Sequence, residues 1–362
     1  MSPGPKRGCR AFVIGCFVLL AVVVGGSVWL WQRYTGFSDQ PIAGLQAGDS
    51  VVVASGDSFP SLLRKLRASG VEQGDDLEWR ILARRLKVDG SLKVGEYALE
   101  AGITPRKLLL DMRNGKVISY RITFVEGWNI RQLRAALNAA TPLLHETSAL
   151  DDAALMKLLG HPGQHPEGRF LPETYVYSRG DSDIDVLKRA YGAMEKALAL
   201  VWESRARDIP LKSAEEALIL ASIIEKETGL ASERPQIAGV FARRLKLGMK
   251  LQTDPTVIYG IGSAYDGNIR RRDLLTDTPY NTYTRTGLTP TPIAMPGLDA
   301  LQAAVNPADG DALFFVALGD GSGSHVFSAT LGEHNAAVGR YLQQLRRPAL
   351  PEEKVLEEEL LQ

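Results

Sequence analysis

Cysteine is almost absent from this chain of 362 residues. Its two cysteines, Cys9 and Cys16, both stand near the N-terminus. The rest of the chain can therefore hold no disulfide framework and no cysteine metal site, and it offers no thiol nucleophile. A body without thiols suits an oxidising compartment, where stray thiols would pair wrongly.

An excess of charge is missing as well. The chain has 42 basic and 42 acidic side chains, so its formal net charge is zero. Proteins that bind nucleic acid usually carry a basic excess that meets the phosphates. We therefore expect no nucleic-acid partner.

Histidine pairs and nucleophile motifs are also lacking. Of the five histidines, His161 and His165 share a four-residue spacing, but Pro162 and Gly163 between them indicate a loop. The chain has no G-x-S-x-G elbow and no phosphate-binding loop, and residues 321–325 fit a hairpin turn better. We therefore expect no metal and no other cofactor.

A long apolar run lies near the N-terminus. Residues 11–31 carry no charge, and they are long enough to cross a hydrocarbon core of ~30 Å as a helix. Basic residues precede the run and aromatic residues mark its far end: Lys6, Arg7 and Arg10, then Trp29, Trp31 and Tyr34. Because basic flanks stay in the cytoplasm, we expect a single-pass anchor with residues 1–10 inside and the body outside.

A cleaved signal peptide and a buried core helix are the alternatives to an anchor. The small residues Gly25–Ser27 are followed by further apolar residues from Val28 onwards, which does not suit a cleavage site. A lipoprotein box at Val13–Cys16 would have too few apolar residues before it. The basic and aromatic flanks argue against a core helix, so an uncleaved anchor explains the pattern best.

Composition and periodicity divide the remaining chain into four parts. We expect a polar tether over 32–48, a small α+β module over 49–117, a larger α+β domain over 118–345 and an acidic tail over 346–362. The predicted fold class is therefore α+β, with an N-terminal transmembrane helix ahead of two folded units.

One helix of the larger domain combines a capped start with an apolar body. Ser213 and Glu216 form a capping-box pattern, and Gly229 is a candidate cap at the far end. Between Ala217 and Ile224 every residue except Ser222 is apolar. Such a helix must be buried on nearly all sides.

Glu225, Lys226 and Glu227 stand at the end of this helix. Burial and the negative end of the helix dipole both raise the pKa of a carboxyl group there, whereas Lys226 would lower it. A carboxyl group that stays protonated near neutral pH suits a general acid for glycoside cleavage. The helical wheel does not choose between Glu225 and Glu227, and the spacing alone slightly favours an ordinary solvated helix end.

Three other stretches mix aromatic residues with amide and carboxylate side chains. They cover residues 167–175, 251–260 and 280–283. Flat aromatic faces and polar hydrogen-bonding groups are what a sugar site needs, although each stretch alone also fits ordinary turns and caps.

Together these residues resemble the YceG-like family, the endolytic murein transglycosylases. The most specific stretches are 220–228, 251–260, 280–283 and 306–308, and the resemblance extends over nearly all of the chain after the tether. It implies that Glu225, the first glutamate of an E-K-E-T string, is the catalytic acid and base. It also implies that residues 49–117 look like a LysM-like glycan-binding module and that 118–345 is the catalytic domain.

The resemblance and the polar–aromatic stretches together supply candidate substrate-binding residues. These are Glu173, Ser222, Glu227, Gln252, Thr253, Asp254, Tyr259, Tyr280, Asn281 and Tyr283. Two features depart from the family pattern: Glu173 stands where the family often has aspartate, and the loop over 287–293 has a different sequence.

The activity that the resemblance implies is cleavage of the MurNAc–GlcNAc bond in nascent peptidoglycan strands. It would leave 1,6-anhydroMurNAc ends and terminate strand elongation near the inner membrane, with the body in the periplasm and penicillin-binding synthases as possible partners. The alternative is a non-catalytic peptidoglycan-binding scaffold of the cell-wall synthesis machinery. An envelope peptidase is disfavoured because neither a nucleophile nor a metal site is visible.

Overall fold

A computed structural model describes residues 6–88 and 90–346 of the chain. The first of its two units extends to Tyr120 and includes Tyr177–Gly180, and the second holds Arg121–Val176 and continues from Asp181. Their elements in chain order are α1 (Lys6–Asp39), β1 (Ser50–Val53), α2 (Phe59–Ala68), α3 (Asp76–Arg85), β2 (Gly95–Ala98), α4 (Pro105–Asn114), β3 (Ser119–Thr123), α5 (Ile130–Ala139), α6 (Asp152–Leu158), β4 (Thr174–Ser178), α7 (Asp183–Glu203), α8 (Ala214–Glu227), α9 (Arg234–Lys246), α10 (Asp254–Ile261), α11 (Arg271–Leu275), α12 (Leu298–Val305), β5 (Phe314–Ala317), β6 (His325–Ser328) and α13 (Leu331–Leu345).

The mixture of helices with short sheets confirms the coarse fold prediction. In the described part of the chain the strands pair two by two, as β1–β2, β3–β4 and β5–β6. β1 and β2 are antiparallel, with Ser50 opposite Ala98, and β5 and β6 are antiparallel, with Phe314 opposite Ser328. The acidic tail expected over 346–362 lies, apart from Arg346, outside the described residues, as do residues 1–5 of the expected cytoplasmic stub.

α1 is the apolar helix expected at the N-terminus. From Phe12 to Asp39 it is long enough to span a membrane, its mean hydropathy reaches 2.5, and that apolar stretch is not buried in the protein. An unburied apolar surface of this length is compatible with a transmembrane helix.

The expected polar tether over 32–48 is wrong in its first half. α1 continues through Asp39, and Phe37 and Ile42 are buried in the core of the first unit. Phe37 packs its ring against Trp79 at 5.4 Å between centroids. Composition alone suggested a tether because Gly36, Ser38 and Asp39 are poor helix formers, but this tertiary contact outweighs their propensity.

The core of the first unit is built from α2, α3 and α4 around the β1–β2 pair. Ser58, Asp75 and Thr104 each cap the start of one helix by accepting a backbone N–H bond, and α4 ends at Gly115 in the left-handed region (φ 72°). The return of Tyr177–Gly180 to this unit was not expected from the sequence. Arg179 donates there to Glu96 at 2.9 Å, a contact between residues far apart along the chain.

α8 forms the centre of the second unit. Every residue from Ala217 to Ile224 is buried, as the apolar run predicted. α7, α9, α10 and α12 pack around it.

The two ends of α8 differ in detail from the expected caps. Ser213 accepts from the Glu216 backbone at 3.2 Å, but the Glu216 carboxylate accepts from Lys212 N instead of closing the capping box. At the far end Thr228 is extended (φ −143°), so no left-handed glycine cap forms. The helix therefore stops abruptly beside its carboxyl groups.

Candidate active site

Glu225 lies at the end of α8 with its carboxyl group enclosed. Arg234 Nη2 donates to Glu225 Oε1 at 3.2 Å, and the backbone N–H of Gly297 donates to Oε2 at 3.0 Å. The side chains of Glu225 and Arg234 are 5% and 8% exposed. Lys226 instead donates to the backbone oxygen of Gly127 at 3.2 Å. Glu225 is therefore not a solvated helix end.

Arg234 shares its positive charge among three carboxyl groups. Besides Glu225, it lies 3.3 Å from Asp299 Oδ2 and 3.6 Å from Glu126 Oε2. Burial raises the pKa of Glu225, the Gly297 N–H and Arg234 lower it, and the nearby charge of Glu126 raises it; the net shift is upward. The site thus favours the protonated form more than water does for a free glutamate, while Arg234 and the Gly297 N–H stabilise the carboxylate.

The starts of α9 and α12 bring Arg234 and Gly297 to Glu225. Arg234 is the first residue of α9, directly after a short 3₁₀ turn over Ala231–Glu233, and Gly297 directly precedes α12. A Cβ atom at Gly297 would lie 1.9 Å from Glu126 Oε1, so a larger residue cannot fit without displacing that carboxylate.

Glu227 occupies an environment different from that of Glu225. It lines a cavity of about 520 Å³ whose wall also includes Arg244, Phe314 and Phe315. Burial raises the pKa of Glu227 to about 7, although a hydrogen bond from Thr253 Oγ1 opposes the rise. The helix end therefore carries two carboxyl groups with raised pKa values.

The cavity gathers five of the predicted site residues. Glu227, Gln252, Thr253, Asp254 and Tyr283 all line it. Tyr283 Oη donates to Asp254 Oδ1 at 2.6 Å, and Gln252 Oε1 accepts from Arg244 at 3.3 Å. Gln252 also has φ 54°, a left-handed conformation that is uncommon for a residue other than glycine and often marks functional sites.

Tyr259 and Tyr280 form another group. Their rings meet edge to face at 4.9 Å between centroids. Tyr259 Oη donates to Glu167 Oε2 at 3.1 Å, and the Tyr280 hydroxyl lies 2.9 Å from that of Thr291. Burial raises the pKa of Glu167 to about 7, while hydrogen bonds from Ile130 N and Tyr259 oppose it.

Three predicted substrate-binding residues lie neither in the lining of the Glu227 cavity nor in the Tyr259–Tyr280 pair. Ser222 is fully buried, donates to Ile219 O at 2.7 Å and accepts from Ile293 N at 3.0 Å, so its role is internal. Asn281 is also buried, and its side-chain amide donates to backbone oxygens over 273–276. Glu173 is exposed just before β4, and its backbone oxygen accepts from Phe124 N at 2.9 Å.

Comparison with known proteins places the chain in a protein family. A sequence model of the YceG-like family matches residues 51–340, which is most of the chain. The chain belongs to the YceG-like family. The predicted family, and with it the prediction of a transglycosylase enzyme, is confirmed.

Proteins similar to this YceG-like protein occur in Bacillus, Streptococcus and Listeria. The endolytic murein transglycosylase of Bacillus subtilis (strain 168) is 30% identical over 312 residues, covering 81% of this chain and 84% of the relative. That of Streptococcus pneumoniae (strain R6) is 26% identical over 350 residues and 85% of this chain, but the match spans 61% of the relative. A crystal structure of a yceG-like protein from Listeria monocytogenes aligns with a TM-score of 0.51 and 28% identity, over 79% of this chain and 98% of that one.

Several charged residues of this YceG-like protein were missed in the sequence. Arg234 contacts Glu225, Arg244 contacts Gln252 and Glu167 contacts Tyr259, but nothing near the two arginines in the sequence signals a site. A usable signal for Glu167 was its position in the 167–175 stretch. Within residues 12–88 and 90–346, no three histidine, cysteine, aspartate or glutamate side chains group as a metal site requires.

Proposed function

We propose that this YceG-like protein is a peptidoglycan lytic transglycosylase with Glu225 as its general acid and base. The observation that carries the proposal is the enclosed carboxyl group at the end of an apolar helix, with a pKa above its ordinary value. The relatives named endolytic murein transglycosylase support the reaction class and the murein substrate.

The proposed reaction has two proton transfers and consumes no water. Protonated Glu225 donates to the glycosidic oxygen between MurNAc and GlcNAc, and the bond from that oxygen to C1 of MurNAc breaks. The Glu225 carboxylate then takes the proton of the MurNAc C6 hydroxyl, whose oxygen bonds to C1. The products are a 1,6-anhydroMurNAc end and a GlcNAc with a free hydroxyl. Because the nucleophile belongs to the same sugar, its effective concentration is high.

The neighbours of Glu225 suit a group that alternates between two forms. Burial and Glu126 favour the protonated acid before bond cleavage. Arg234 and the Gly297 N–H then stabilise the carboxylate that cleavage creates. One carboxyl group can therefore serve both steps.

We assign the Glu227 cavity to substrate binding. Asp254, Gln252 and Tyr283 offer hydrogen-bonding groups, and Phe314 and Phe315 offer aromatic surface in the same cavity. A sugar ring has polar edges and an apolar face, and this mixed lining suits both. Tyr259 and Tyr280 are proposed to add a further contact, whereas Glu173 is kept as a secondary candidate.

We also propose a membrane anchor and a glycan-binding module for this protein. α1 would be a single-pass anchor in the inner membrane, with the N-terminus in the cytoplasm and both units in the periplasm. The module over 49–117, which lies within the first unit, would be LysM-like and bind glycan, and 118–345 would be the catalytic domain. Cutting near the membrane would terminate nascent strands beside penicillin-binding synthases.

Product analysis in isotope-labelled water tests this proposal. The full chain in nanodiscs is incubated with intact sacculi in water enriched in oxygen-18, and the soluble muropeptides are analysed by mass spectrometry. We expect internal cuts that leave anhydro ends without the heavy isotope. Incorporation of oxygen-18 at the new ends would indicate a hydrolase, and sacculi that are bound without being cut would indicate a scaffold.

A further inference from the structure

Two exposed apolar side chains lie beside the last apolar turns of α1. Leu77 and Ile81 are 65% and 50% exposed. Since they are four residues apart on α3, they share one face of that helix. With Trp29, Leu30 and Arg33 of α1 they line a shallow cavity of about 270 Å³.

α1 and α3 are joined by several contacts within the first unit. Arg33 donates to Glu78 at 2.7 Å and to Asp75 at 3.1 Å, both at the start of α3. One turn further along α1, the ring of Phe37 meets that of Trp79. Because α1 continues unbroken into this core, α3 is fixed in position along the anchor helix.

The length of the apolar run gives the depth of this position. At ~1.5 Å per residue, residues 11–31 cross a hydrocarbon core of ~30 Å, so Trp29 and Leu30 reach its outer edge. Leu77 and Ile81 contact the same cavity as these two residues and therefore lie at a similar depth.

Exposed arginines stand beside Ile81 on α3. Arg80 and Arg84 are exposed on this helix, while the acidic side chains at its start are ion-paired: Asp75 and Glu78 with Arg33, and Asp76 with Arg67. An apolar stripe flanked by arginine is the pattern of helices that lie in the head-group layer.

We propose that α3 rests in the outer head-group layer of the membrane, with Leu77 and Ile81 inserted among the lipids. This inference depends on the membrane anchoring proposed above. It adds a second contact with the lipid surface beside the anchor helix.

Val94 provides an internal control. Among the described residues of the first unit outside α1, it is the one other exposed large apolar side chain, at 58%. Its neighbour Lys93 donates its backbone N–H to Met112 in the last turn of α4, whereas α1 meets α4 at its first turn through Asp39 and Arg106. Val94 thus lies at the far end of α4 from the anchor.

Fluorescence quenching by spin-labelled lipid measures the contact. Single cysteines replace Leu77, Ile81 or Val94 in the full chain carrying Cys9→Ser and Cys16→Ser, and each is labelled with an environment-sensitive fluorophore in nanodiscs that contain anionic lipid. Nitroxides in the head group should remove most of the signal at positions 77 and 81 and little of it at 94. A Leu77→Gln change should then reduce quenching at position 81.

A label in place of Phe17 separates the two proposals. It should be quenched by nitroxides deep in the acyl chains, since Phe17 lies within the apolar run. If position 17 is quenched while 77 and 81 behave like 94, the contact of α3 with lipid is refuted and the anchor stands. If position 17 is not quenched, the anchor itself is refuted, and this inference with it. Circular dichroism verifies that each labelled variant is folded.

Discussion

Replacing Glu227 with glutamine should stabilise the chain at alkaline pH and leave its stability in acid unchanged. Burial raises the pKa of Glu227 from 4.5 to about 7 in the folded state. The folded state therefore holds a proton that the unfolded state has released between these two values, so stability falls as the pH rises through that window. Glutamine has no proton to lose and keeps an oxygen that accepts from Thr253.

The size of the effect follows from the shift. A rise from 4.5 to about 7 corresponds to about 3 kcal/mol, since one pKa unit is worth ~1.4 kcal/mol. Below pH ~4.5 the carboxyl group is protonated in the folded and the unfolded state, so its burial does not reduce the free energy of unfolding through ionisation. Above pH ~7 it is ionised in both states, and the full reduction applies. Because Glu227 is partly exposed, solvent screening makes this figure an upper bound.

Urea unfolding of the full chain in detergent, followed by circular dichroism, measures the difference. We expect the wild type and Glu227→Gln to match in free energy of unfolding near pH ~4.5 and the variant to be more stable by up to about 3 kcal/mol near pH ~8.5. The matched control is Glu203→Gln, an exposed glutamate at the end of α7. Parallel pH curves for the wild type and Glu227→Gln would refute the reasoning.

Three further changes test other parts of the structure. Arg234→Met removes a cation that lowers the pKa of Glu225, so the alkaline limb of the kcat/KM profile should move to higher pH. Breaking the buried ion pair should also lower the free energy of unfolding by ~3–5 kcal/mol, as measured by thermal unfolding. An alkaline limb that does not move would contradict the pairing of Arg234 with Glu225. Gly297→Ala should lower turnover on sacculi by displacing Glu126, and wild-type turnover would show that the site is not crowded there. Phe37→Ala should destabilise the first unit by ~3–5 kcal/mol. Hydrogen exchange should then become faster in α3 and stay unchanged in α8. Unaltered exchange in α3 would show that the Phe37 ring does not hold α1 and α3 together.

Local signals in the sequence account for several helix ends and for one buried helix. The caps at Ser58 and Thr104 and the left-handed Gly115 mark helix ends that the structure contains. The continuous apolar run over 217–224 correctly predicted a helix buried on all sides. These features depend on neighbours a few residues away, and a single sequence displays them directly.

Contacts between distant segments could not be predicted in the same way. Glu225 and Glu227 looked equivalent at the helix end, yet one meets Arg234 and Gly297 while the other lines a cavity with Thr253. The difference arises because residues from other parts of the chain surround each carboxyl group: Arg234 and Gly297 at Glu225, and Thr253 at Glu227. The prediction of a tether over 32–48 was wrong for the same reason, because Phe37 packs against Trp79 in α3.

Activity of two isosteric variants on intact sacculi tests the central claim most directly. Glu225→Gln and Glu227→Gln each remove one ionisable carboxyl group from the end of α8, and anhydro-muropeptides are quantified by mass spectrometry. If Glu225 supplies the proton, its variant forms no anhydro product, while Glu227→Gln still forms it, with weaker binding. Wild-type product formation by Glu225→Gln, with loss in Glu227→Gln, would contradict the assignment and place the acid in the cavity.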